Sequence, residues 1–226
     1  GDLQKLEQLY VQTNKITDPK FPSEYLHFIH LTDVGLSNNA IQKLDNTTFK
    51  NLRDAKVSKL ELSRNKIDEI SEGAFVWFKH IQSLKLGGNP LTSSALESAF
   101  HGLVGSTLVS LNIDNINLNG LLPSSTFQLL RNTKIRNLSM KNNKMTSIPQ
   151  RGFADLKYLL SLDLSASGIT SVSDSAFDGV QDLDTLFLND NQISDIPRNL
   201  PSSLQILYLN GNQITVLPKK YILQLD

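Results

Sequence analysis

Residues 183–193 read Leu-Asp-Thr-Leu-Phe-Leu-Asn-Asp-Asn-Gln-Ile. Leu186 and Leu188 lie two apart and share one face, while Phe187 between them faces the other way. That alternation predicts a short strand with one buried side. Leu183 and Ile193 bracket it with further apolar contacts, and Asn191 stands where the chain must turn. An asparagine amide both donates and accepts, so buried there it satisfies backbone groups that the turn frees.

Outward from this stretch the same frame returns along the whole chain. It starts at Leu6, Leu31, Val57, Ile81, Leu108, Ile135, Leu159, Leu183 and Leu204, at spacings of 25, 26, 24, 27, 27, 24, 24 and 21 residues. Such a period signals a solenoid, in which each unit buries its apolar face only against its neighbours. The turn asparagine is present in seven of the nine units, as Asn14, Asn39, Asn65, Asn89, Asn143, Asn191 and Asn212. Ile116 and Ser167 interrupt this ladder. Serine can partly replace the amide and isoleucine cannot, so a local distortion is expected over residues 114–119.

The second half of each unit is periodic too. Phe49/Leu52, Phe75/Phe78, Phe100/Leu103, Phe127/Leu130, Phe153/Leu156 and Phe177/Val180 share one spacing, and Tyr25/Phe28 are assigned the same slots in the first unit. Stacked, these rings form an aromatic spine on the outer side, where each ring buries roughly 150–250 Å². The eighth unit has Ile196-Pro197-Arg198-Asn199-Leu200-Pro201 instead, a short extended segment that thins the convex side.

The motif resembles the extracellular leucine-rich repeat, and most of all the Toll-like receptor ectodomain. Three features carry the second resemblance: the irregular repeat length, the small or Thr residues before the strand (Asn132-Thr133-Lys134-Ile135-Arg136-Asn137-Leu138 and Gly105-Ser106-Thr107-Leu108), and the Ile196-Pro197 to Leu204 coil. The 24-residue runs are equally similar to small leucine-rich proteoglycans, neuronal adhesion receptors and variable lymphocyte receptors. The resemblance implies an α/β horseshoe with a parallel sheet on the concave face and an irregular, partly helical convex side. Residues 1–226 read as a single section of about nine repeats with no recognisable cap at either end, and Tyr221–Asp226 look like the middle of another coil. The family implies recognition of a protein or microbial ligand on the extracellular or endosomal luminal side of a membrane receptor, with a homodimer as a candidate assembly. An adhesion or matrix protein and a structural spacer are the alternatives. Membrane attachment would come only through other parts of a parent chain.

Composition adds exclusions. The 22 basic and 22 acidic residues cancel, which gives no general electrostatic reason to bind nucleic acid. Lys59, Arg64, Lys66, Lys85, Arg136, Lys141 and Lys144 gather loosely, but Glu61, Asp68, Glu69 and Asp114 interrupt them. The absence of cysteine excludes disulfides and thiolate metal sites within the chain. No run of 18 or more apolar residues is present to span a bilayer. His27, His30, His80 and His101 fall in convex or connecting segments without metal-ligand spacing, and no nucleophile elbow or paired carboxylates stand out. The reading is non-enzymatic, with no cofactor and no metal.

Candidate contact residues are those between the strand leucines. Phe187 and Tyr208 occupy the same position in adjacent repeats, about 4.8 Å apart in strand spacing. Exposed paired aromatics are typical interface anchors. Asp163 precedes them in the same column, Asp184, Asn189 and Ile206 flank them, and Tyr10 stands alone at the other end. Two sequons, Asn46-Thr47-Thr48 and Asn137-Leu138-Ser139, mark candidate glycosylation sites. Asn46 is expected on the flank after the strand, and Asn137 on the concave face, where a glycan would obstruct the middle of the sheet.

Overall fold

The computed structural model describes residues 3–121 and 123–217, so the proposed further coil at Tyr221–Asp226 lies outside the described residues. Each repeat places one three-residue strand in a nine-stranded, wholly parallel sheet. The strands are Gln8–Tyr10, Asp33–Gly35, Lys59–Glu61, Ser83–Lys85, Ser110–Asn112, Asn137–Ser139, Ser161–Asp163, Thr185–Phe187 and Ile206–Tyr208, hydrogen-bonded in that order. The central residue of every strand faces the core. Val34, Leu60, Leu84, Leu111, Leu138, Leu162 and Leu186 are almost completely buried. The outer two positions therefore form two columns on the inner face. One runs Gln8, Asp33, Lys59, Ser83, Ser110, Asn137, Ser161, Thr185, Ile206; the other runs Tyr10, Gly35, Glu61, Lys85, Asn112, Ser139, Asp163, Phe187, Tyr208.

The asparagine ladder joins successive coils at the turn. Asn191 Oδ1 accepts from the backbone N–H of Ser167 and of Ile169, both at 3.0 Å, in the preceding coil. Its Nδ2 donates to Leu164 O at 3.1 Å in that coil and to Leu188 O at 3.0 Å in its own. Asn39, Asn65, Asn89, Asn143 and Asn212 repeat this two-coil bridging, whereas Asn14 in the first repeat bonds only its own turn, at Val11 O and Gln12 O. At Ile116 there is no amide, so the N–H of Leu91 turns to Asn89 O in its own coil at 2.9 Å. The hydroxyl of Ser167 does part of the work: it accepts from Asn143 N–H at 3.3 Å and donates to Ser165 O at 3.1 Å.

The distortion near Ile116 has a specific form. In all nine repeats the residue just before the ladder position has a left-handed backbone: Thr13, Asn38, Arg64, Gly88, Asn115, Asn142, Ala166, Asp190 and Gly211. Only where the ladder residue is not asparagine does the residue just after it also have positive φ, namely Asn117 at 60° after Ile116 and Gly168 at 75° after Ser167. A side-chain amide bonded to carbonyls two and three residues back holds the turn in one conformation. Without it the chain closes the turn with a second left-handed residue.

The convex side explains its own spacing. In each Phe-x-x-Leu unit the N–H of the last residue bonds the phenylalanine carbonyl, as from Leu52 to Phe49 (2.9 Å), Leu130 to Phe127 (2.9 Å) and Leu156 to Phe153 (2.9 Å). One tight turn thus folds both apolar groups inward. The longer fourth coil has room for α1, Ser93–Gly102, whose Thr92 cap accepts from Ala95 N–H at 3.1 Å. Phe100, Phe127, Phe153 and Phe177 stack in sequence with centroids 5.8–6.3 Å apart, and Phe49 stacks on Phe75 at 6.3 Å. The first coil departs from the expected pattern. Phe21, not Tyr25 or Phe28, is the ring that meets Phe49, at 6.3 Å, while Tyr25 packs edge-on against Phe21 and at a tilt against Phe28. Phe21 is buried and the other two are only half-buried.

Candidate functional site

The inner face changes character along its length. Toward the N-terminal end it is charged. Glu61 accepts from Lys85 at 2.8 Å and lies 3.2 Å from Lys59. Burial pushes the Glu61 carboxyl upward, but the hydrogen bonds from Lys85 and Lys59 outweigh it and hold the group below its ordinary value. The same pairing, through its hydrogen bond to Glu61, raises Lys59. Asp114, beneath Lys141 at 4.0 Å, also accepts from Ser139 Oγ, Asn112 Nδ2 and the Lys141 backbone. Each of these three lysines therefore faces an acid, which weakens this part of the face as a seat for a phosphate backbone. The four histidines are exposed, and among the described residues no cluster suited to a metal ion is present.

The middle of the face is a shallow hollow of about 260 Å³ lined by small polar groups, among them Ser110, Asn112, Asn137 and Ser161, and closed toward the C-terminal end by Phe187. Beyond it stand the aromatics. Phe187 and Tyr208 are stacked with centroids 4.7 Å apart and planes only 3° from parallel. Tyr208 is 42% exposed and Ile206, beside it on the same strand, 44%.

The polar neighbours behave differently from the rings. Asp163 Oδ1 accepts from the N–H (3.0 Å) and hydroxyl (2.6 Å) of Ser165. Asp184 accepts from the Thr185 hydroxyl at 2.9 Å, and Asn189 donates to Asp190 at 2.7 Å. These three groups hold local turns, which leaves Phe187, Ile206 and Tyr208 as an apolar patch rimmed by bonded polar groups. Tyr10 is not brought near them: it lies seven strands away from Phe187 in the same column, with its ring over Gly35, where a Cβ would come within 2.6 Å of Tyr10 Cδ1. Of the two sequon asparagines, Asn137 is exposed on the inner face, and Asn46 is exposed on the flank, where its carbonyl accepts from the Trp77 indole at 2.9 Å. A second hollow, of about 400 Å³, lies between α1 and the turn Gln128–Leu130 over Leu96, Phe100, Leu118, Leu129 and Met145. The sequence gives no sign of it, because it arises from the width of one coil and not from a motif.

The model of the family described as Leucine rich repeat matches residues 29–91 and 158–214, more than half of the chain. The chain belongs to the leucine-rich repeat family. The stretch between the two matches carries the 27-residue coils, α1 and Ile116, where this leucine-rich repeat solenoid departs most from regularity. Bovine osteomodulin is 27% identical over 197 residues, covering 86% of this chain and 44% of that protein. Human Toll-like receptor 3 is 28% identical over 186 residues, covering 79% of this chain and 20% of that one. Among solved structures, TLR13 in complex with ssRNA13 superposes with a TM-score of 0.74 at 27% identity, covering 90% of this chain and 28% of that one. The chain thus spans less than half the length of each. These relatives support recognition of a ligand or protein as the class of function for the repeat. No helix among the described residues is long and apolar enough to cross a membrane.

Proposed function

We propose that this leucine-rich repeat section is a recognition surface of a Toll-like pattern-recognition ectodomain, on the extracellular or endosomal luminal side. It takes a protein or microbial ligand at the C-terminal end of its inner face. The observation that carries the reading is the stacked Phe187/Tyr208 pair, in which Phe187 is half-buried and Tyr208 exposed, with exposed Ile206 beside it. Aromatic pairs of this kind supply large contact area at low entropic cost and are enriched among interface hot spots. Asp163, Asp184 and Asn189 form the polar rim, and a homodimer through this patch is one form the partner can take. RNA is disfavoured as the ligand by the lysine–acid pairing of the charged half, even though TLR13 was solved with a single-stranded RNA. The match to osteomodulin favours a second reading, an extracellular matrix binding protein that uses the same inner face.

The test compares the chain with the double variant Phe187→Ala/Tyr208→Ala against microbial products, matrix proteins, single-stranded RNA and a second copy of the chain. Binding lost by more than about tenfold at unchanged melting temperature supports recognition through the patch. Binding confined to matrix proteins favours the second reading. Retention of RNA at low ionic strength, unaffected by the double variant, would overturn the assignment of both ligand and surface.

A further inference from the structure

Asn137 stands at the centre of the inner face, in register between Ser110 on one side and Ser161 on the other. Its side chain is exposed, and it forms part of the wall of the central hollow. Ser110 and Ser161 also line that hollow. Larger groups close it at its two ends, Lys85 in one direction and Phe187 in the other. The geometry points to an N-linked glycan on Asn137 whose first sugars rest in this hollow between the serine hydroxyls. It divides the inner face into a charged N-terminal half and an aromatic C-terminal half. The inference builds on the recognition reading only in saying which half stays open to a partner; the glycan itself needs no ligand.

The linkage requires a lipid-pyrophosphate-linked oligosaccharide as donor. Asn137 Nδ2 forms a bond to the anomeric carbon as that carbon's bond to the pyrophosphate oxygen breaks. The lipid pyrophosphate leaves with the bonding pair, and the amide gives up one proton. No oxidant or reductant takes part. The fold also fixes the timing. The sequon hydroxyl, Ser139 Oγ, donates to Asp114 at 2.5 Å within the finished sheet. At the other sequon, Thr48 Oγ1 is buried and accepts from Asp45 N–H at 2.9 Å. Both sequon hydroxyls are thus engaged once their coils dock, which favours transfer before docking.

The chain contains no cysteine, so single introduced thiols report shielding without background. The experiment secretes the chain from eukaryotic cells as four proteins: Ser161→Cys, Gln8→Cys, and each of these combined with Asn137→Gln. Mass spectrometry after enzymatic deglycosylation reads occupancy of Asn137, and a polymer-linked maleimide reads accessibility of each thiol. Gln8 is five strands from Asn137 in the same column, about 24 Å away at the usual strand spacing. The expected result is occupied Asn137, with Ser161→Cys labelled about threefold or more faster once Asn137→Gln removes the glycan. Gln8→Cys is expected to label at the same rate in both backgrounds. Endoglycosidase should release the Asn137 glycan more slowly from folded than from denatured chain. A bare Asn137 overturns the site. An occupied Asn137 with equal Ser161→Cys labelling in both backgrounds overturns its seat in the hollow. Neither outcome touches the Phe187/Tyr208 reading, which fails or stands on its own binding test.

Discussion

Nine residues with left-handed backbone, one per coil, bend the chain out of the sheet, and only two of them are glycine. For an L-residue this conformation costs about 1–2 kcal/mol, partly offset in a glycine replacement by the greater freedom of the unfolded chain. Ala166 is exposed, has φ 53° and has no side-chain role, so Ala166→Gly is expected to stabilise the protein by about 0.5 kcal/mol, read as a higher denaturant midpoint at unchanged slope. Asn191→Ala removes an amide bonded to two coils and leaves buried N–H and C=O groups unpaired, which should cost about 2–4 kcal/mol. Asp45 gives a pH signature. Hydrogen bonding from Thr47, against the opposing effect of burial and with help from Lys20 and Thr48, lowers its pKa to about 2. A depressed carboxylate contributes stability above its unfolded value near 4. That contribution fades as pH falls through the folded value near 2. Asp45→Asn should therefore flatten the acid limb of the stability curve in that window and leave the neutral region nearly parallel. The positions of the left-handed residues were not legible beforehand, since Thr13, Arg64 and Ala166 carry no turn signature. The ladder asparagines were, because their chemistry has few other uses at a buried turn. The engagement of Asp163 and Asp184 in local turns depends on side-chain rotamers, which spacing alone does not reveal.

At the scale of elements, the strand frame was fully legible: a two-residue alternation repeated in fixed phase leaves no other register. The spine was legible wherever phenylalanine and its partner lie three apart, because one tight turn buries both. It was misread in the first coil, where Phe21 and Tyr25 are four apart and the ring that packs inward is the earlier one. Phe127 sits between Phe100 and Phe153 and is fully buried. Phe127→Ala should cost about 3–5 kcal/mol. Tyr208→Ala, at an exposed ring, should cost no more than about 1.5 kcal/mol of stability, so thermal melts of the two variants separate the buried spine from the rings of the proposed patch. The helix of the fourth coil was not legible from length, since the equally long fifth coil carries only the turn Gln128–Leu130; the Thr92 cap distinguishes the coil that forms α1.

For the whole molecule, a solenoid gains stability from neighbour contacts, so interior coils have two stabilising interfaces and terminal ones fewer. Leu138 in the sixth strand is 2% exposed, whereas Leu9 in the first is only half-buried. Leu138→Ala is expected to cost about 2–5 kcal/mol and Leu9→Ala appreciably less, and amide exchange should slow from the ends toward the middle coils. The inner face is then one ordered surface whose chemistry is set by position along the arc, charged at one end and aromatic at the other. Its length is the quantity to measure. Nitroxide labels placed on Gln8 and Ser110, and separately on Gln8 and Ile206, are four and eight strands apart. Pulsed electron resonance should give a first distance near 19 Å and a second that rises toward about 38 Å, shortened only by curvature, at about 4.8 Å per strand. A second distance no longer than the first would mean that the chain folds back on itself, and that no inner face of this kind exists.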